Sequence, residues 1–161
     1  TGTLEMLFTY PLTEFQIVMG KFLAAMSVVA FMLLASFFSI LSLSRYVSID
    51  WHLIASGYVG LLLLGGCFVV FGIWTSSLTS SQMVAGVLTY GGLMTMWLVQ
   101  AVVDKNFPVF KEKLGGLSMM EHLENMARGN LHSQDFVYYI LWIVLFLFLT
   151  TRVLESRKWS S

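Results

Sequence analysis

The residues best suited to metal or nucleophilic chemistry in this 161-residue chain are three histidines, His52, His122 and His132, and one cysteine, Cys67. A zinc site needs clustered ligands at short, regular spacing, and these histidines are scattered, so they read as solvated or interfacial side chains. Cys67 lies inside an apolar run, where a lone thiol packs as a small hydrophobe. It has no second cysteine for an internal disulfide. The GxxxxGK[ST] phosphate loop, HExxH, CxxC and GxSxG patterns are all absent. The chain therefore reads as having no catalytic site, no metal site and no cofactor of its own.

The groups that remain must be placed by the elements around them, and composition says what those are. Hydrophobic residues make up 57% of the chain and charged residues 11%, with a mean hydropathy of +0.78. Soluble domains run nearer about 45–50% apolar and about 25% charged, so this chain lacks the polar surface to cover a globule in water. Nine basic and nine acidic residues cancel, which removes any charge argument for nucleic-acid binding.

Four apolar stretches read as membrane spans at residues 22–44, 53–75, 83–103 and 136–153. The first would form about 35 Å of helix, enough for a hydrocarbon core of about 30 Å. The runs are continuously apolar and do not alternate, which favours helices over a barrel. No Asp, Glu, Lys, Arg or His falls within them apart from Arg152, next to the end of the last. Ionisable groups in mid-membrane usually serve ion or proton pathways, so their absence argues against an ion-coupled carrier. Ser56 with Gly60, and Gly91 with Thr95, have small-xxx-small spacing. That spacing suits helix packing within one subunit or between subunits. Gly65-Gly66 reads as either a flexible point or a packing notch.

Half of the formal charges fall between Asp104 and Asp135. There, Ser118 and Glu121 have capping-box spacing, Met119, Leu123 and Met126 recur at helical spacing, and Gly129 supplies a stop. A short amphipathic helix near the membrane surface is expected, after a Gly115-Gly116 break and another short helix near Pro108–Leu114. At the other end, Thr3 can cap a short helix carrying Leu4, Leu7 and Phe8, which stops before Pro11. Thr13 and Gln16 then form a second capping box that starts the first span. Charge does not orient the bundle: Lys21, Arg152, Arg157 and Lys158 lie on one side, and Arg45, Lys105, Lys111, Lys113 and Arg128 on the other.

The order of several short motifs is similar to that of ABC transporter permeases of the second (ABC-2) type. Gly2-Thr3-Leu4-Glu5, with Pro11-Leu12 and Gly20-Lys21, resembles their cytosolic coupling segment. Ser76-Ser77-Leu78-Thr79 resembles the loop between their fourth and fifth spans. His122-Leu123-Glu124-Asn125-Met126-Ala127-Arg128-Gly129, with Asp135, resembles the element before the last span, and Arg152–Trp159 their basic end. The nearest likeness is to the bacterial gliding-motility-associated and nitrous-oxide-reductase-maturation permeases. Such permeases have six spans, and this chain starts at Thr1, at the coupling segment. It is therefore expected to be a fragment carrying the third to sixth spans.

That resemblance implies an all-α polytopic bundle in the bacterial inner membrane, acting as the permease subunit of an ATP-driven exporter. Both ends and the Ser76–Gln82 loop would be cytosolic, and residues 104–135 extracytoplasmic. It implies separate ABC ATPase subunits that carry the ATP and Mg, and a second permease subunit, identical or related. Gly2, Thr3, Leu4, Glu5, Leu7, Phe8, Pro11 and Leu12 would meet the ATPase, with Leu7 and Phe8 as apolar anchors. Glu124, Arg128 and Gly129 would form an extracytoplasmic gate element, although Arg128 equally suits simple pairing with a helix dipole. Two other readings stand beside this one: a membrane scaffold that relays movement to an extracytoplasmic accessory protein, and a channel or secondary carrier.

Overall fold

Thr13 opens the described part of the chain by closing a reciprocal capping box with Gln16, and α1 runs from there over Glu14–Leu43. The computed structural model describes residues 13–107, 109 and 118–159. Asp50 caps α2, Trp51–Leu78, by accepting from the backbone N–H groups of His52 and Leu53. α3 spans Gln82–Asn106, α4 Met119–Ala127 and α5 Ser133–Trp159. The described residues contain no strand, and α1, α2, α3 and α5 are each long and apolar enough to cross a membrane. The chain is an all-α polytopic bundle. The short helix expected near Pro108–Leu114 and the Gly115-Gly116 break lie outside the described residues, apart from Val109.

The helices outrun the apolar stretches. α2 continues through Ser76 and Ser77, leaving Thr79, Ser80 and Ser81 as the turn to α3. The hydroxyl of Ser77 donates to the carbonyl of Trp74 at 2.6 Å, so it satisfies itself within the helix and does not end it. α5 starts three residues before Phe136 and takes Asp135 into its first turn.

α2 is the hub, touched by every other described helix. Gly65 and Gly66 are helical, and the pair is a packing notch: a Cβ on Gly65 would lie 2.9 Å from Val29 Cγ1 of α1, and one on Gly66 2.9 Å from Ile143 Cδ1 of α5. Below the notch, Val18, Val70, Phe71, Phe146 and Leu147 form one core. Trp74 and Trp142 extend it, with ring centroids 5.4 and 5.0 Å from Phe146. Hydroxyl pairs tie helices together where water is scarce: Ser36 with Tyr58 between α1 and α2, and Thr75 with Thr89 between α2 and α3.

α1 and α3 bury little. Phe31, Phe38, Val87 and Tyr90 are each about 70% exposed, an apolar surface that needs lipid or another helix against it. Gly91 and Thr95 lie on such a face of α3, with Thr95 donating to the Gly91 carbonyl. Ser56 and Gly60 are instead buried under α4.

α4 runs antiparallel to α2. Its start shares a cavity with Leu64 and Phe68, Met126 reaches Gly60, and Gly129 meets Leu53 and His52. Phe68 is 17 residues into α2 from Trp51, on the order of 25 Å along the helix axis. The amphipathic helix expected near the membrane surface is thus sunk into one end of the bundle, with its apolar face on α2 and α5.

Candidate functional site

The sunken helix α4 and the start of α5 bring together the polar residues that sequence reasoning kept apart. Ser118 caps α4 by accepting from the N–H of Glu121 at 3.1 Å. The return bond of a capping box does not form among the described residues; Gln100 of α3 hydrogen-bonds to the Ser118 hydroxyl instead. At the other end Gly129 takes φ +81°, its N–H donating to Met126 and that of Asn130 to Asn125, each at 3.0 Å. Those two bonds make a Schellman stop, whose left-handed residue is best supplied by glycine. Only residues 128–132 separate α4 from α5.

That tight return places His122 beside Asp135. Nδ1 of His122 donates to Oδ1 of Asp135, and both side chains are almost fully buried. Oδ2 of Asp135, also buried, has no hydrogen-bond partner among the described residues. The ring of Tyr138 stacks on the imidazole at 4.3 Å, and Tyr139 meets it edge-on at 6.2 Å. The helix dipole at the start of α5 favours a negative charge at Asp135. Three further side chains fix the backbone nearby: Tyr139 donates to the Met119 carbonyl at 2.8 Å, Ser56 to that of Met126, and Cys67 to that of Tyr139 at 3.8 Å.

Here the expectation of solvated or interfacial histidines fails for one of three. His52 and His132 are exposed, but His122 is buried. It lies one helical turn before Met126, on the face α4 turns inward, and scattered spacing along the chain hid its pairing with Asp135. The legible signal was the four-residue spacing of His122 and Met126. α5 also begins early enough to take Asp135, just outside the expected last span, into its first turn and bury it. Among the described residues, no three His, Cys, Asp or Glu side chains gather to hold a metal.

Glu124 and Arg128 face outward. Their ion pair, at 3.6 Å with side chains 62% and 73% exposed, contributes only about 0.3–0.5 kcal/mol. They share the rim of a cavity of about 280 Å³ between α3 and α4 with Trp97, Gln100, Asp104 and Glu121. Such a rim offers hydrogen bonds, negative charge and one indole face. Gly129 closes the group, at the level where α2 begins. The coupling residues Gly2, Thr3, Leu4, Glu5, Leu7, Phe8, Pro11 and Leu12 lie outside the described residues.

No family profile and no solved structure matches the chain. Two curated proteins are similar to it, both described as "Probable multidrug ABC transporter permease YbhR", from Escherichia coli (strain K12) and Escherichia coli O157:H7. Each is 28% identical over 155 residues, covering 93% of this chain and 42% of the relative. The chain thus spans about two fifths of the length of the curated relatives it matches. The likeness is therefore to part of an ABC transporter permease.

Proposed function

We propose that this chain is the third-to-sixth-span portion of the transmembrane subunit of an ATP-driven ABC exporter in a bacterial inner membrane. The observation that carries this reading is the similarity to an ABC permease along 93% of the chain. A bundle of four apolar helices around α2 supports it. Separate ATPase subunits bind ATP and Mg and drive the cycle, and a second permease subunit completes the pathway. In this reading the chain is nearest the gliding-motility-associated and nitrous-oxide-reductase-maturation group, with motif order as its support. The Thr79–Ser81 turn and both chain ends face the cytosol in this reading, and α4 with its Glu124–Arg128–Gly129 rim belongs to the outer gate.

Residues 2–12 are the contact with the ATPase. The test is co-purification and ATPase rate of the full-length complex in lipid, with membrane insertion checked separately. Glu5→Lys sets the wrong sign at a contact where like charges cost several kcal/mol, and Phe8→Ala removes an anchor of a kind often worth about 2 kcal/mol. Both should reduce assembly and substrate-stimulated hydrolysis at least tenfold. Normal assembly and normal hydrolysis in both variants would sink the coupling assignment. ATP turnover by the purified permease without a partner would defeat the division of labour.

One observation favours a secondary carrier: the buried His122–Asp135 pair, an ionisable couple of the kind proton pathways use. Against it, the pair joins two residues across one short return and so reads as the tie that closes it. Transport driven by a proton gradient without ATP, and abolished by Asp135→Asn, would establish the carrier.

A further inference from the structure

A cavity of about 330 Å³ lies between α1, α2 and α5 at the end of the bundle where α1 begins and α5 ends. Lys21 and Arg157 stand at it, together with Ser76 and Ser77 from the last turn of α2. Apart from Thr150 its remaining walls are apolar, with Val18, Ile73 and Leu154 among them. Among the described residues no carboxylate lines it. Two nearby carboxylates are committed elsewhere, Glu14 to Lys158 at 2.7 Å and Glu155 to Arg152 at 3.3 Å. The ammonium of Lys21 makes no ion pair among the described residues.

We propose that this cavity binds an acidic phospholipid, with its phosphate between Lys21, Arg157 and Ser76 and an acyl chain against the apolar wall. Depth fits a headgroup: Lys21 is the charge immediately before the apolar stretch that starts at Phe22, and Arg157 lies in the last turn of α5. Donors fit as well. Ser77 and Thr150 spend their hydroxyl protons on the carbonyls of Trp74 and Phe146, whereas Ser76 makes no such bond among the described residues. A free phosphate would gain nothing from Val18, Ile73 and Leu154, but a lipid uses both halves of the site. Basic pockets between membrane helices on the cytoplasmic side hold acidic headgroups in this way. Placement in the cytoplasmic leaflet rests on the topology proposed above; the binding itself does not.

The test uses full-length protein purified in detergent and stripped of lipid, with binding read by native mass spectrometry and thermal unfolding. Phosphatidylglycerol should bind and raise the midpoint, with phosphatidylcholine at least tenfold weaker. Lys21→Gln/Arg157→Gln should weaken phosphatidylglycerol at least tenfold, Lys21→Arg/Arg157→Lys should retain it, and Arg45→Gln at the opposite end should not change it. A photoreactive phosphatidylglycerol on the unmutated protein covers the case of a variant that fails to fold. It should label peptides around Val18–Ala25 or Leu154–Arg157, and labelling confined elsewhere overturns the proposal. Equal binding of phosphatidylcholine also overturns it, as does equal loss in Arg45→Gln. Inorganic phosphate that reproduces the whole shift would assign the site to a free anion and overturn the lipid. Labelling of Ser80→Cys from outside the cell would refute the topology while leaving the lipid result standing.

Discussion

His122 and Asp135, thirteen residues apart, are joined by a buried hydrogen bond from Nδ1 to Oδ1 across the return from α4 to α5. The bond fixes a nine-residue helix too short to hold its shape alone. It does so with the only carboxylate among the buried residues of the described chain.

Removing one partner should therefore hurt more than removing both. His122→Leu strands a buried carboxylate, and breaking such a pair costs about 3–5 kcal/mol. The double variant His122→Leu/Asp135→Asn leaves no buried charge and should recover part of that loss. Thermal unfolding of the four members of the cycle in one detergent measures the coupling. Strictly additive losses would show that the pair does not act as a unit.

The notch in α2 predicts a ranking. An added Cβ at Gly65 meets the branched and stiff Val29, whereas at Gly66 it meets Cδ1 at the flexible end of Ile143. Gly65→Ala should cost about 1–3 kcal/mol by overpacking, and Gly66→Ala less. Gly57, on the same helix, has open space around it, so Gly57→Ala should stabilise by about 0.5–1 kcal/mol. Unfolding midpoints check the order, and the reverse order would mean that α1 does not seat at Gly65.

Gly129 tests the Schellman stop. Its φ of +81° disfavours any side chain with Cβ, by about 1–2 kcal/mol. Gly129→Ala should lower stability by that amount and Gly129→Asn by less, since Asn tolerates the left-handed region. Equal effects of the two would point to the neighbouring Leu53, 3.4 Å from an added Cβ, as the constraint.

Topology is open to direct labelling. In the proposed orientation a cysteine replacing Ser80 reacts only from the cytosol, and one replacing Arg128, 73% exposed in its side chain, only from outside. Each is introduced with Cys67, which is fully buried, left in place. Reversed labelling would exclude docking of residues 2–12 on a cytosolic ATPase.

The four long helices were legible because each is a run of apolar residues long enough to cross a bilayer, a property of the local chain that needs no partner. The Thr13–Gln16 box and the Gly129 stop were legible for the same reason, since caps act over three or four residues. Gly65-Gly66 could be noticed but not interpreted, because a notch exists only relative to Val29 and Ile143 on other helices. The sinking of α4 was out of reach too. Met119, Leu123 and Met126 define an apolar face that serves a lipid surface or a neighbouring helix equally well. Tertiary packing chose the second: Ser56 and Gly60 leave room on α2, and the short return into α5 draws His122 against Asp135. Burial turned a scattered histidine and a flanking aspartate into one unit, because two polar groups taken out of water must find each other.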